Sequence, residues 1–249
     1  MKKQKISNDL LKIRKLNLGC GFDKRKGYIN IDLNDVHHPD ICANITSLPF
    51  LKSGYYEEIV AQDVLEHLKR LDVIPALNEW SRLLKPNGVL ILRIPSLLHL
   101  SKMLLSPMCL KQKKAEDVIH LIYGTQAYNG DYHLSGFTPV IINSYLSKCG
   151  LMIIYADIQD GWLLNIKAKN TSKLTSYEEL IHNTYFKTLF RPVDIGGLKH
   201  YLQKLQKGFK INELKKDLMS SSEAMLLTNY PFNFYDYQNI IDTRALNVK

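Results

Sequence analysis

The stretch that most constrains this chain is residues 15–34, KLNLGCGFDKRKGYINIDLN. An apolar run, Leu16-Asn17-Leu18, meets Gly19-Cys20-Gly21 at once, and a second run, Tyr28-Ile29-Asn30-Ile31, ends on Asp32. This order predicts a strand, a glycine turn, a second strand and an acidic residue at its carboxyl end. Glycine lacks a Cβ, so the main chain can turn tightly there and a ligand can come close to it. A carboxylate at the end of the neighbouring strand can accept from both hydroxyls of a ribose. Hydrogen bonds to a charged group are worth roughly 1.5–3 kcal/mol each. The dinucleotide fingerprint G-x-G-x-x-G is incomplete, because Lys24 stands at the third glycine position. Gly21 and Asp32 lie only eleven positions apart, too close for the usual long helix between such strands. A pyrophosphate seated on a helix N-terminus, and with it NAD, is therefore disfavoured. A ligand with a ribose and no phosphate fits better.

The length of 249 residues allows one large domain, or a medium domain with a small one. At 45% hydrophobic residues the chain has ample material for a core. No apolar run reaches the ~20 residues that a membrane helix needs. The start, MKKQKISNDLLKIRK, is basic but lacks an apolar signal-peptide core, so a cytoplasmic setting is expected. Cys20, Cys42, Cys109 and Cys149 show no paired spacing and read as reduced, mostly buried thiols. No metal-ligating set is expected. The net charge of +9 is unevenly spread. Residues 1–26 hold nine Lys/Arg against two Asp, whereas residues 27–169 hold thirteen basic and fourteen acidic groups. A basic leader could meet RNA, anionic lipid or an acidic glycan, or be a solvated end. No aromatic residues interleave with its lysines, which weakens the nucleic-acid case.

Further along, Ile41-Cys42-Ala43 reads as a third short strand. Ile59-Val60-Ala61 reads as a buried strand, with Gln62 and Asp63 at its carboxyl end, where ligands gather in open α/β sheets. Val64, Leu65 and Leu68 then have helical spacing. Adjacent residues on a helix do not share a face, so Glu66 and His67 are not expected to act on one proton together. His67 is read as a structural or supporting residue. Residues 71–85 form an amphipathic helix with Val73, Leu77, Trp80, Leu83 and Leu84 in its apolar stripe. Pro86-Asn87-Gly88 breaks it, and residues 89–94 read as a buried central strand, with Ser96 beyond it on the rim of the site. Residues 97–123 are an apolar insertion that could line an acceptor pocket, form a homodimer contact or pack in the core. Residues 124–138, GTQAYNGDYHLSGFT, form a polar, glycine-rich loop. Its His133, flanked by Asp131 and Tyr132, is the best general-base candidate, since histidine titrates near neutral pH and a nearby carboxylate can orient it. The same histidine could instead tie the loop to the backbone. A helix from Thr138-Pro139 to Cys149, capped by Gly150, leads to two strands around Asp160-Gly161.

The segments LNLGCG, INIDLN, ITSLPF, VAQDVLEHL and WSRLLKPNGVLILRIPS, in that order, resemble class I S-adenosylmethionine (SAM)-dependent methyltransferases. The closest likeness is to the bacterial subgroup with a short first glycine loop, and it covers about residues 15–169. The resemblance implies an α/β fold: a Rossmann-like, seven-stranded, mostly parallel sheet ending in an antiparallel hairpin. It implies SAM as cofactor, with Gly19, Cys20 and Gly21 along it, Asp32 on the ribose and Leu33 beside it. It further implies Asn44 and Ile45 at the adenine, and Gln62 and Asp63 at the methionine end. Two positions depart from the family's pattern. Asn17 replaces the acidic residue before the glycines, and Asn44 replaces the aspartate that touches the adenine amino group. An amide keeps a carbonyl acceptor but not the charge.

Residues 177–189, 197–205 and 211–218 read as three short helices, and Ser220-Ser221-Ser222, with Glu223 close behind, begins a fourth segment. The run YFKTLFRPVDIGGLKHYLQKLQKG resembles a small helical domain of unknown function found in bacterial surface, S-layer-type and glycosyl-transfer proteins. Its markers are Tyr185, Leu189, Arg191, Pro192, Asp194, Gly197 and Leu198. The expected organisation is a basic leader (1–14), a methyltransferase domain (15–169) and a small all-α C-terminal domain (170–249), whose aromatic end packs on the body or on a partner. The expected reaction is methyl transfer to an oxygen of a small molecule or glycan, with a sugar of a surface polysaccharide or glycoconjugate favoured by the second domain. Two alternatives stay open: an inactive scaffold that kept the fold, and an RNA methyltransferase. The second is disfavoured because the Pro-aromatic signature of amino-directed nucleic-acid methyltransferases is absent after Val60.

Overall fold

A computed structural model describes residues 7, 9–128, 130–171, 176–189 and 193–228. Its centre is a seven-stranded sheet: β1 (Lys15–Leu18), β2 (Ile29–Asp32), β3 (Ile41–Cys42), β4 (Tyr56–Gln62), β5 (Leu84–Pro95), β6 (Leu151–Gln159) and β7 (Leu163–Asn170). The strands lie in the order β3-β2-β1-β4-β5-β7-β6. The pairs β1–β2, β2–β3, β1–β4 and β4–β5 are parallel, and β7 runs antiparallel to both β5 and β6. The expected Rossmann-like sheet with a terminal hairpin is therefore present. Strand order reverses beside β1, between β1 and β4, and ligands of open α/β sheets bind outside the carboxyl ends of the strands at such a switch point. Leu16, Leu18, Ile29, Ile31, Ile59, Leu90, Leu92 and Ile94 are fully buried, as strands covered on both faces require. Asp160 and Gly161, with φ of 54° and 79°, give the β6–β7 hairpin the left-handed pair its tight turn needs.

Helix α1 (Arg70–Leu83) packs the expected stripe into the core, where Trp80 is fully buried and its Nε1 donates to the Ile45 carbonyl at 3.0 Å. Two expectations need correction here. Pro86-Asn87-Gly88 does not separate helix from strand: β5 already begins at Leu84. Tyr56 pairs with Leu84 and Glu58 with Val89, so the three residues form an excursion inside β5. Residues 97–123 are regular, comprising α2 (Leu97–Leu104), a 3-10 turn (Pro107–Leu110) and α3 (Gln112–Tyr123). Ser96 is not on the rim: it is fully buried, 2.7 Å from His99 Nδ1 through its hydroxyl.

Helix α4 (Pro139–Lys148) starts at Thr138, whose hydroxyl accepts from Ile141 N, and is followed by left-handed Gly150. The C-terminal residues form α5 (Ser176–Leu189), α6 (Ile195–Gln206), α7 (Ile211–Met219) and α8 (Ser222–Thr228). Ile181, Tyr185, Leu189, Val193, Tyr201, Leu205, Leu214 and Leu218 make a second apolar cluster, separate from the sheet's. Asp194 caps α6 by accepting from Gly197 N at 2.7 Å. A Cβ on Gly197 would lie 2.5 Å from the Tyr185 hydroxyl, so two of the sequence markers fit each other. Arg191, Pro192, residues 229–249 and most of the leader lie outside the described residues. Among the described residues no helix is long and apolar enough to cross a membrane.

Candidate active site

The turn after β1 is built as its glycines suggest. Gly19 and Gly21 are left-handed, with φ of 61° and 51°. A Cβ on Gly19 would lie 2.4 Å from a Val64 methyl, so the turn is pressed against the segment after β4. Around Gly21 nothing lies within 4 Å of a Cβ position, which leaves open space for a ligand. Asp32, at the carboxyl end of β2, accepts from Gly21 N on Oδ2 and from Asn34 N on Oδ1, both at 2.8 Å. His37 Nδ1 stands 3.1 Å from Oδ1. The carboxylate is thus fixed in orientation beside the open side of the turn. Leu33, next to it, is exposed, as is Phe22, whose ring meets His37 edge-on at 4.7 Å. Cys20 is buried, and burial with the Asp32 charge pushes its thiol up to about 11, so it stays protonated at neutral pH.

Asn17 has a structural task in place of a charge. Its amide donates to the Asp23 carbonyl (2.7 Å) and to Asn30 Oδ1 (3.0 Å), and Asn30 in turn is held by Asp40. This buried polar chain fixes the returning limb of the glycine turn. Asn44 caps a turn: its Oδ1 accepts from both Thr46 N and Thr46 Oγ1, at 3.0 and 2.9 Å. Ile45 is buried in the core.

At the end of β4, Gln62 Oε1 accepts from the Arg25 guanidinium, and Asp63 forms a two-point ion pair with Arg93 of β5. Asp63 is left-handed (φ 54°), and its N–H donates to the Arg93 carbonyl at 3.0 Å. Arg93 therefore secures both the backbone and the side chain of a residue in a conformation that non-glycine residues seldom take. Sequence reasoning missed both arginines. The alternation of Arg93 within an apolar strand was the one signal that could have raised it.

The largest difference from expectation lies just beyond. Val64, Leu65 and Leu68 do not start an α-helix; only a 3-10 turn, Leu65–His67, follows β4. The loop before α4 docks on this turn. Leu134 N and Ser135 N donate to the Glu66 carbonyl at 2.7 and 3.0 Å, and Ser135 Oγ donates to Leu68 O at 2.7 Å. His133 is thereby brought against His67, ring centroids 4.9 Å apart. One ligand atom from each of Glu66, His67 and His133 lies within 4.8 Å of the other two. The tight turn and the returning loop thus bring into one group side chains that helical spacing would have kept apart. Asp131 is bonded to Thr125, so it is not the partner that orients His133. That partner is the Ile122 carbonyl, 3.2 Å from Nδ1. Burial and then the His67 imidazole lower the His133 pKa, which keeps it a neutral base near pH 7. Glu66 is 2% exposed, its Oε2 has no hydrogen-bond partner, and burial raises its pKa to about 8. The same loop also reaches the end of β2: Tyr128 is near enough to Asp32 for that carboxylate to help raise its pKa, after burial and Asp131.

Residues 16–92, which run from β1 into β5, match the profile of a methyltransferase domain. A search of the curated proteins finds no match. Among solved structures, the chain is similar to a SAM-dependent methyltransferase from Methanosarcina mazei, with 18% identity over 63% of this chain and 91% of that one, at a TM-score of 0.46. It is also similar to a 1,6-didemethyltoxoflavin N1-methyltransferase from Burkholderia thailandensis, whose structure holds its substrate and S-adenosylhomocysteine. There the identity is 10% over 68% of this chain and 80% of that one, with a TM-score of 0.42. Residues 16–92 thus match a methyltransferase domain, within the longer one expected from the sequence.

Proposed function

We propose that the protein transfers the methyl group of SAM to a hydroxyl oxygen, with a sugar hydroxyl of a surface polysaccharide or glycoconjugate as the acceptor class. The observation that carries the cofactor half is the Asp32 carboxylate, oriented by two backbone N–H groups beside the open face of a left-handed glycine turn. Its remaining lone pairs suit the two ribose hydroxyls. Gly19, Cys20 and Gly21 offer main chain to the cofactor. Leu33 gives the adenine an exposed apolar face. With its oxygen already taken twice, Asn44 would address the ring through its amide N–H groups, while Ile45 supports from the core. Gln62 and Asp63, each holding an arginine, set the polar end for the methionine part.

When bound, the cofactor supplies an electrophilic methyl group on a sulfonium. The protein's task is alignment, worth roughly 7–11 kcal/mol when the attacking oxygen is held in line. As the oxygen–carbon bond forms and the carbon–sulfur bond breaks, the hydroxyl proton must leave. His133 is the candidate base, because its ring is neutral and its Nδ1–H is spent on a backbone carbonyl, which leaves the Nε2 lone pair free. An oxygen acceptor is favoured because a hydroxyl needs such a base. The glycan class rests on the helical C-terminal residues, a proposed separate domain, and is an association of modules rather than a mechanism.

The acceptor is tested with methyl-labelled SAM offered to sugars, polysaccharides, small amines and RNA. Alkali-stable label on sugar hydroxyls is the expected result. Label on amine nitrogen would refute the oxygen assignment. Label on RNA, with binding that falls steeply as salt rises, would establish the nucleic-acid alternative.

A further inference from the structure

Glu66, His67 and His133 also have the features of a cation site. A carbonyl oxygen can only accept, so His67 Nδ1, 3.1 Å from Tyr132 O, must carry its proton, and so must His133 Nδ1, 3.2 Å from Ile122 O. In the neutral ring of each, this is the tautomer whose Nε2 carries the lone pair a metal ion takes. Metal-binding histidines are commonly oriented this way, the far N–H held by a backbone carbonyl. The third member, Glu66, is almost fully buried and keeps one carboxylate oxygen unpartnered. A buried polar atom without a partner is costly and calls for an explanation. The three ligand atoms lie within 4.8 Å of one another, so rotations of the side chains that draw them together by about an ångström bring one ion within the 2.0–2.2 Å lengths of nitrogen and carboxylate ligands.

We propose that Glu66, His67 and His133 form a binding site for a single divalent first-row transition ion. Two imidazoles and one carboxylate suit zinc, cobalt, manganese or iron(II) better than magnesium or calcium, which prefer all-oxygen shells. The site closes only when the loop carrying His133 docks on the 3-10 turn, so the ion fastens that loop beside the cofactor crevice. Three protein ligands leave open positions for an acceptor hydroxyl. This role rests on the oxygen-methyltransfer reading. In the ion-loaded state His133 is a ligand and not the base. The ion acidifies the bound hydroxyl, whose proton passes to solvent water, while its oxygen takes the methyl carbon and the sulfur leaves as a thioether.

The test uses the full chain stripped with chelator and dialysed. Cobalt(II) is titrated in while its visible absorption is followed, and SAM binding is measured by calorimetry on the same samples. The wild type is expected to take one cobalt per chain and to show an imidazole-ligated spectrum. Glu66→Gln and His133→Gln should each weaken cobalt binding by at least about tenfold. Should Glu66→Gln fail to fold, the half-exposed His67→Ala serves in its place, and an unchanged circular-dichroism spectrum with a cooperative melt is the control for folding. Wild-type protein that binds SAM but not one cobalt per chain overturns the cation site and leaves the methyltransferase reading standing. Cobalt bound equally by the variants also overturns it. Cobalt lost in the variants supports the site, and if SAM fails to bind, only the methyltransferase reading falls.

Discussion

At the scale of single residues, the cofactor face is a matter of backbone conformation and one carboxylate. Gly19 cannot be replaced cheaply: its left-handed φ and the 2.4 Å approach of Val64 act together. Gly19→Ala is expected to destabilise the protein by on the order of 2 kcal/mol or more, read as a lower melting temperature. An unchanged melting temperature would show that the turn relaxes. For His133, replacement by glutamine removes the basic imidazole nitrogen, whether that nitrogen takes a proton or holds an ion. Turnover should fall roughly 10²–10⁴-fold while the SAM dissociation constant stays put. Equal losses in both would mark His133 as merely structural. Asn17 illustrates what a single position conceals. The sequence shows a missing acid, whereas the structure shows an amide wired through Asn30 to Asp40 that holds the turn in shape.

At the scale of elements, the two glycine-bearing connections do different work. The turn after β1 is local and was legible in the sequence: strand, glycines and Asp32 follow within one short stretch, and periodicity reports such order directly. The loop before α4 is held by long-range bonds that no spacing encodes. Its Gly124 has φ 81°, and a Cβ there would lie 2.3 Å from the Asp131 carbonyl. Gly124→Ala should therefore displace His133 and lower turnover by more than it weakens SAM binding, since Asp32 and the glycine turn lie on other elements and the loop approaches them through Tyr128. A parallel loss of SAM binding would show that the loop is part of the cofactor cradle. The segment after β4 was misread for a related reason. Three apolar residues at helical spacing also fit a 3-10 turn followed by extended chain, and the docking of Leu134 and Ser135 on the Glu66 carbonyl selects that form. Strands, hairpin and the first three of the C-terminal helices were readable because each carries its own pattern. The Glu66–His67–His133 group and the Arg25 and Arg93 contacts were not, because they join residues from separate elements.

At the scale of the whole molecule, the chain has two apolar clusters of different character. The sheet cluster carries the proposed methyltransferase site, and α5, which gives Ile181 and Tyr185 to the helical cluster, also buries His182, whose Nε2 is unpartnered. Burial lowers its pKa to about 4, only partly offset by Glu178. The ordinary histidine value is about 6.5. A histidine depressed on folding contributes stability that is fully present above pH 6.5 and is lost as pH falls toward 4. The loss is on the order of 3 kcal/mol. Hydrogen-exchange protection of α5 amides should fade across that window in the wild type and persist in His182→Leu. Protection that is flat with pH in the wild type would show that the imidazole stays neutral or finds a partner.

The central claim is that the Asp32 carboxylate beside the glycine turn holds the ribose of SAM, and calorimetric titration of SAM into the full chain, with Asp32→Ala alongside, tests it most directly. Two hydrogen bonds to a charged group correspond to a loss of at least about 100-fold in affinity, so micromolar binding by the wild type and none measurable in a folded Asp32→Ala protein is the predicted result. A folded wild type that does not bind SAM, or a variant that binds it equally well, would contradict the account.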